Sequence, residues 1–316
     1  MKTATRLLAL VLAALLLPAA AGAFLDRLGR GVLQELAPKP AEAPPPAQPD
    51  DKAPAEPSRR QDRTGLILGG VTDLLAGAAE VPYETEVVIG ESLALEGFAR
   101  YGRPVEDPDL QRYVNRVGNA VARNSPRPEI PYRFVVVQGE LYNAFACPGG
   151  IVFVSSQLVR SMGDEAELAA VLAHEVGHVA HRHALQSIRR AQFFSGVGQL
   201  TAATMRGEKG REFQGMIGDL QGVLFDRGLD RNMEFEADAT GMETAYRTGY
   251  DPAGMVRVLE MLQRNEATAR KGGSWFSTHP PLGERLSRLR TQLAQYPDAA
   301  SLARVPERFA PYSARL

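Results

Sequence analysis

Residues 173–178 read Ala173-His174-Glu175-Val176-Gly177-His178, and this stretch decides how the rest of the chain is interpreted. In an α-helix, residues four apart lie on one face, so His174 and His178 can present two imidazoles to one metal ion. Glu175 can reach the same open space. The stretch is an HExxH pattern, in which the histidines bind zinc and the glutamate acts on a water molecule. The alternative is a surface helix that happens to be rich in histidine.

Composition limits the class of protein. The chain has 316 residues and is 44% hydrophobic, so it can bury a sizeable core in one large or two small domains. Its net charge of -1 argues against a nucleic-acid partner. The single cysteine, Cys147, excludes an intrachain disulfide and is expected to be a small buried residue, with a catalytic thiol as the alternative.

The N-terminus has the pattern of an export signal. Lys2 and Arg6 precede an apolar run at 7–17, and small residues up to Ala23 offer a cleavage site. We therefore expect a signal peptide over 1–23, a periplasmic location and no stable transmembrane anchor after cleavage. An uncleaved anchor is the alternative, although the apolar run is short for a spanning helix.

The remaining chain divides by composition. Residues 24–80 are expected to be a linker rich in proline and alanine and an N-terminal segment, because proline and charge leave little to bury. A folded metallopeptidase domain is expected at 81–298, followed by a C-terminal tail at 299–316. Within the domain, glycines and charged residues interrupt the helical pattern of residues 190–230, which suggests helices joined by a mobile surface segment that could cover a substrate cleft.

Two apolar runs, 134–137 and 151–154, predict buried strands, and the proline and glycines within 143–150 predict a turn between them. A strand and turn directly before a metal-binding helix could hold an extended peptide by backbone hydrogen bonds. The alternative is an ordinary hairpin without a ligand. The candidate substrate-binding residues are Asn143, Ala144 and Phe145.

Helix starts are predicted at Asp107, which precedes a proline, and at Asp164, where Glu167 follows three residues later. The helix that begins at Asp164 carries HExxH and is expected to continue past His181 and His183. These two histidines are expected to be solvated or to support the ligands, with a role as metal ligands as the alternative. Later helices are predicted from Arg231 to Thr248, after Asp251-Pro252, and from Leu282.

A catalytic zinc usually has three protein ligands and keeps a fourth position for water. Glu234 and Asp238 lie four apart on one helix face, so Glu234 could bind the metal while Asp238 accepts the N–H of a ligating histidine. Glu236 points about 200° away from Glu234 and is a poorer candidate. From the residues alone, an acidic solvated helix face is equally compatible with this stretch.

Several motifs together resemble the HtpX and CAAX prenyl protease family, the forty-eighth metallopeptidase family. These motifs, which extend over residues 85–295, are His174-Glu175-x-x-His178, Glu234-Phe235-Glu236-Ala237-Asp238 with Gly241, Gly249-Tyr250-Asp251-Pro252, Asn143-Ala144-Phe145 with Pro148-Gly149-Gly150, and Thr278-His279-Pro280-Pro281 with Arg285. The nearest type is the soluble, exported BepA-like subgroup, here without its helical repeat domain.

The resemblance implies an α+β, mainly helical gluzincin domain with a small β-sheet and the HExxH helix at the cleft. It implies one Zn²⁺ per subunit bound by His174, His178 and Glu234, with Glu175 as the general base. The expected activity is that of a zinc metalloendopeptidase.

Two further residues are candidate catalytic groups. We expect His279 to bind zinc at rest and leave when substrate enters; the alternatives are stabilising a tetrahedral intermediate or simply ending a loop. Arg285 could hydrogen-bond the oxyanion, pair with an acidic neighbour or lie on the surface.

The resemblance and the export signal together imply periplasmic quality control, in which unfolded or misfolded envelope proteins are cleaved. Expected partners are such substrates, including outer-membrane proteins or their assembly machinery. The main alternative is a zinc-containing periplasmic chaperone or assembly factor with little proteolytic turnover. A structural zinc protein that binds a partner is a third interpretation, but a site made only of ligands has no need of Glu175.

Overall fold

The structure is a computed structural model, and it describes residues 81–195, 218, 221–222, 228–265, 279 and 282–316. The predicted signal peptide, the segment at 24–80 and most of the predicted mobile segment at 190–230 lie outside these residues. None of the helices in the described ranges has the length and apolar content to span a bilayer.

The described residues form helices around a small sheet, which confirms the predicted mainly helical α+β class. The helices are α1 (Tyr83–Tyr101), α2 (Pro108–Ala122), α3 (Ser156–Ser161), α4 (Glu165–Ala180), α5 (His183–Ser195), α6 (Arg231–Arg247), α7 (Gly254–Arg264), α8 (Leu282–Leu293) and α9 (Pro306–Ser313). The strands are β1 (Arg133–Val137), β2 (Ala144–Cys147) and β3 (Ile151–Ser155). The sequence did not predict α1.

Side-chain caps start the predicted helices. The Asp107 carboxylate accepts two backbone N–H bonds of 3.0 Å at the start of α2, where proline follows. At the start of α4, Asp164 accepts the N–H of Glu167 at 2.9 Å. The Glu167 carboxylate in turn accepts the N–H of Gly163 at 2.8 Å. These bonds satisfy N–H groups that a helix leaves unpaired, so both predicted starts are confirmed.

The sheet has the order β1-β3-β2, with β1 parallel and β2 antiparallel to β3. The turn predicted from Pro148 and the glycines is confirmed, but the sequence did not predict that Ala144–Cys147, just before it, is a strand that pairs with β3 and places Phe145 opposite Phe153. Only the residues after it turn, with Gly149 and Gly150 at φ values of 80° and 102°. Cys147 is buried in β2, as predicted, and burial raises the pKa of its thiol.

Amide side chains of α2 cover the outer edge of β1. Gln111 accepts the N–H of Val136 at 3.0 Å and donates to its carbonyl at 2.9 Å. One turn later, Asn115 accepts the N–H of Phe134 at 3.0 Å and donates to the carbonyl of the same residue. The two amides take the place of a neighbouring strand, so this edge cannot pair with another chain.

The helix that carries HExxH lies at the centre of the core. Every residue of α4 from Glu165 to Val179 is buried, as expected for a helix that is largely apolar on all sides. Helix α6 approaches it closely at Gly241, where an added Cβ would lie 2.9 Å from the backbone nitrogen of His174. Glycine at this position therefore permits α6 to present Glu234 to the histidines of α4.

The prediction that the HExxH helix continues past His181 and His183 was wrong. Helix α4 ends at Ala180, and Arg182 adopts a left-handed backbone conformation with φ of 57°. Helix α5 then starts at His183 in a new direction. Local periodicity did not predict this break, because a non-glycine residue rarely adopts a positive φ.

The C-terminal residues pack on the domain and do not form the predicted tail at 299–316. Phe309 on α9 is buried in the main core, and the ring of Tyr312 stacks on Tyr113. The carbonyl of Arg304 accepts the N–H groups of Glu165 and Ala166 at 3.0 and 3.3 Å. The C-terminal segment thus supplies hydrogen-bond acceptors for the first turn of α4.

Candidate metal centre

Four buried side chains from distant parts of the chain converge: His174, His178, Glu234 and His279, whose ligand atoms lie within 4.8 Å of one another. The Nε2 atoms of His174 and His178 are 3.0 Å apart. Glu234 oxygens lie 3.7 Å from the first nitrogen and 3.5 Å from the second. Donors around a tetrahedral zinc at about 2.0–2.1 Å are about 3.3 Å apart, so this set fits zinc.

The local structure explains how these donors meet. His174 and His178 lie one turn apart on α4, and Glu234 lies in the first turn of α6. Asp238 lies one turn after Glu234 on the same face, as predicted, and its Oδ1 is 3.0 Å from Nδ1 of His174. This contact orients the ring of His174 with its Nε2 towards the metal position.

Glu175 lies beside the donor set without belonging to it. Its carboxylate is buried, lines the cleft and has Oε1 3.6 Å from Nε2 of His279. A carboxylate placed next to the metal position can take a proton from a water molecule held there, which is the predicted role of a general base.

Arg285 is fully buried behind the ligands, so the surface alternative was wrong. It makes a two-point ion pair with Asp238, with both N–O distances at 2.7 Å. Its third nitrogen donates to the backbone carbonyl of His279 at 3.0 Å and lies 3.2 Å from Glu234. The geometry thus favours pairing with acidic neighbours, and Arg285 is not among the residues that line the cleft.

Burial governs the ionisation of the donors. It raises the pKa of Glu234 well above its usual range, although Arg285 opposes this effect. It lowers the pKa of both His174 and His178, so both imidazoles are neutral and keep a lone pair for a cation. Burial also opposes ionisation of Asp238, but Arg285 outweighs it and lowers the pKa of that carboxyl to about 2. Neutral imidazoles and a desolvated carboxylate suit zinc.

Of the two roles expected for His183, solvation or support of a ligand, the structure favours support of a ligand. His183 is 0% exposed and so is not solvated; its Nδ1 lies 2.8 Å from Nδ1 of His178. Its Nε2 lies 3.1 Å from Glu236, which is not a ligand, as the helix geometry predicted. His181 remains partly exposed. The sequence did not indicate which ligand His183 contacts, because the position of His183 depends on the break at Arg182.

An open cleft of about 460 Å³ lies beside the metal position. Glu175, His178 and His279 form part of its wall. Its apolar lining includes Phe145, Ala146, Val179, Leu185 and Leu229. Such a cleft can accept apolar side chains next to the reacting carbonyl.

The predicted substrate-binding residues occupy the start of β2. Phe145 lines the cleft together with Ala146, which had not been predicted, whereas Ala144 is buried in the sheet. Asn143 precedes the strand, and its side-chain amide is buried without a hydrogen-bond partner among the described residues. Asn143 is not among the residues that line the cleft.

The fold and the donor set define a zinc metallopeptidase domain of the gluzincin type, in which a glutamate from a second helix is the third ligand. The family model described as Peptidase family M48 matches residues 108–293, more than half of the chain. The chain belongs to peptidase family M48, which confirms the predicted family and its zinc cofactor.

Several curated proteins are similar to this chain. The beta-barrel assembly-enhancing protease of Yersinia pestis is 33% identical over 212 residues, covering 62% of this chain and 42% of that protein. The mitochondrial metalloendopeptidase OMA1 of Schizosaccharomyces pombe is 29% identical over 58% of this chain and 53% of its own. The metalloprotease LoiP of Escherichia coli (strain K12) is 30% identical over 59% and 73%. The chain thus spans less than half the length of the beta-barrel assembly-enhancing proteases it matches.

Proposed function

We propose that this chain is a zinc-dependent endopeptidase that cleaves unfolded or misfolded proteins of the bacterial envelope. The observation that carries the proposal is the position of Glu175, which faces the cleft beside His174, His178 and Glu234. A purely structural zinc would need no such carboxylate and no cleft beside it. Relatives named as proteases and metalloendopeptidases support the activity.

Zinc, when bound, supplies a Lewis acid that polarises a peptide carbonyl and lowers the pKa of a water molecule towards about 7. Glu175 takes the proton of the attacking water and passes it to the departing amine. Asp238 and Arg285 hold His174 and Glu234 in place during these steps. The buried surroundings strengthen each of these electrostatic contacts.

Strand β2 is suited to holding the substrate. The carbonyl of Asn143 accepts the N–H of Ser155 at 2.8 Å, so in the alternating antiparallel pattern the backbone groups of Ala144 and Ala146 point away from β3. An extended peptide can pair with this side of β2, beside Glu175. The edge of β1 is already covered by α2. Folded proteins offer few extended segments, so unfolded chains are the preferred substrates.

The envelope location rests on two observations. The N-terminus has the predicted pattern of a signal peptide with cleavage near Ala23. The name beta-barrel assembly-enhancing protease, carried by several relatives, refers to β-barrel assembly. We therefore place this chain in the periplasm, in protein quality control, with outer-membrane proteins or their assembly machinery as substrates or partners.

The test is the Glu175→Gln variant, compared with Glu129→Gln at an exposed site. Glu175→Gln should keep one zinc per chain, while the rate of cleavage of an unfolded casein substrate falls by about 10²–10⁴-fold. Glu129→Gln should match the wild type, and a chelator should abolish activity in both active proteins. Cleavage by Glu175→Gln at the wild-type rate would exclude the mechanism.

We also propose that His279 closes the fourth metal position until substrate displaces it. Its ring belongs to the donor set, and four protein ligands leave no position for water. His279→Ala should therefore raise peptidase activity. A fall would favour stabilisation of the intermediate, and unchanged activity would exclude both roles.

The same four-donor arrangement favours a second function, a zinc-containing chaperone or assembly factor that cleaves rarely. In that case, suppression of the aggregation of an unfolded client should persist in Glu175→Gln, and turnover should be slow in the wild type. Rapid cleavage by the wild type, with no suppression of aggregation by Glu175→Gln, would exclude it.

A further inference from the structure

A chain of contacts extends from His178 away from the metal position. Nδ1 of His178 lies 2.8 Å from Nδ1 of His183, and Nε2 of His183 lies 3.1 Å from Oε2 of Glu236. The ring of His183 is 0% exposed, whereas the side chain of Glu236 is 53% exposed. The chain therefore joins a buried ligand to a carboxylate at the surface through a buried imidazole.

Only one arrangement of protons along this chain leaves His178 able to bind a metal. A lone pair on Nε2 of neutral His178 requires its proton on Nδ1, which then donates to His183. Nδ1 of His183 must accept, so its own proton lies on Nε2 and is donated to Glu236. The opposite arrangement would place a proton on Nε2 of His178 and aim a lone pair of His183 at the carboxylate.

We propose that His183 and Glu236 are positioning residues that hold His178 in the tautomer and ring orientation that zinc requires. The carboxylate of Glu236 selects the direction of both hydrogen bonds, because an ionised carboxylate only accepts. His174 has the same support directly from Asp238. For His178 the supporting carboxylate is that of Glu236, and the ring of His183 lies between the two. The left-handed conformation of Arg182 allows α5 to begin at His183, which places this ring between them.

Zinc affinity of the full chain, measured by competition with a chromophoric chelator, tests the assignment without any substrate. His183→Leu should bind zinc about 10–100-fold more weakly than the wild type. His183→Asn has nearly the same shape as the leucine variant but keeps an acceptor near the Nδ1 position. It should bind zinc about five- to tenfold more tightly than His183→Leu.

His181→Leu is the matched control. Nδ1 of His181 lies 3.3 Å from the other oxygen of Glu236 and its Nε2 contacts Thr240, whereas its side chain has no hydrogen bond or ion pair with a metal ligand within the described part of the chain. Its loss should leave zinc affinity within about twofold of the wild type. Glu236→Gln can donate to His183 and so permits the wrong tautomer; it should weaken zinc binding about tenfold or more.

The visible spectrum of the cobalt-substituted protein supplies a second readout, because it reports ligand geometry. It should change in His183→Leu and be restored in His183→Asn. Equal zinc affinity of the asparagine and leucine variants, or an equal loss in His181→Leu, would overturn the assignment. The inference rests on the metal centre and not on the proposed substrate, so absence of peptidase activity would leave these zinc measurements interpretable.

Discussion

Arg285→Met should destabilise the metal-free protein strongly, although Arg285 lies on none of the cleft walls. The methionine has a similar length but carries no charge and no donors. It leaves Asp238 without its two-point ion pair and removes the guanidinium nitrogen that lies 3.2 Å from Glu234. Both carboxyl groups are buried, and Asp238, whose pKa Arg285 lowers, would have to become neutral or remain an unpaired buried charge.

The structure sets the size of this effect. The pKa of Asp238 falls from 3.8 to about 2 in spite of burial, which corresponds to about 2 kcal/mol at about 1.4 kcal/mol per pKa unit. This is what remains after burial has been overcome, so removal of Arg285 should cost more. Breaking a buried ion pair from one side typically costs about 3–5 kcal/mol, which lowers Tm by roughly 6–20 °C in a domain of this size.

Urea unfolding of the full chain in chelator measures the loss, with Arg290→Met as the control. Arg290 lies on the same helix but is 59% exposed, and its ion pair with Glu260 should contribute at most about 1 kcal/mol. The pH dependence of the free energy of unfolding provides a second test. Because the pKa of Asp238 is lower in the folded than in the unfolded chain, its stabilisation is complete above about pH 4 and is lost as pH falls towards 2.

The difference between the wild type and Arg285→Met should therefore shrink as pH falls from 7 towards 2, because burial raises the pKa of Asp238 once Arg285 is removed. A loss below about 1 kcal/mol at pH 7 would refute the argument that this ion pair stabilises the packing of α8 on α6. A difference that grows on acidification would refute it as well.

Three further substitutions test other parts of the structure. Gly241→Ala should lower the free energy of unfolding by about 1–3 kcal/mol and weaken zinc binding, because its Cβ would meet the backbone of His174. Gly283→Ala is the control in the same urea unfolding experiment. Open space surrounds Gly283, so this change should be neutral or stabilising by up to about 1 kcal/mol. Ala146→Pro removes a backbone N–H of β2 that points away from β3. It should lower kcat/KM for an unfolded substrate by up to about tenfold with unchanged zinc content. Unaltered kinetics would argue against pairing of a peptide with β2. Phe309→Ala should cost about 3–5 kcal/mol by calorimetry, and a loss below about 1 kcal/mol would mean that the C-terminal segment is a dispensable tail after all.

The metal ligands were largely predictable because their arrangement depends on the geometry of single helices. His174 and His178 share a face of α4 by their spacing, and Glu234 and Asp238 share a face of α6 for the same reason. The helix start at Asp164 was predictable for a similar reason, because its cap involves only residues of the first turn. Family resemblance then supplied the pairing of the two helices, which spacing within either helix does not contain.

Strand β2 and the break after α4 could not be derived in this way. Ala144–Cys147 is a strand because β3 pairs with it, whereas the sequence predicted only the turn that the following proline and glycines form. Helix α4 ends at Ala180, and Arg182 then adopts a left-handed conformation that the sequence does not predict. The burial of Arg285 likewise depends on Asp238, which lies on a different helix.

The sequence by itself thus determined the identity of the HExxH helix, its start and the helix face that Glu234 and Asp238 share, since hydrogen bonds and side-chain spacing within one helix decide these features. Tertiary structure decided how the two ligand helices meet, which groups support His178 and which surfaces stay open. His183 reaches the back of His178, and Arg304 caps the first turn of α4, through contacts between distant segments. Such contacts depend on the packing of the whole domain, and no local pattern specifies them.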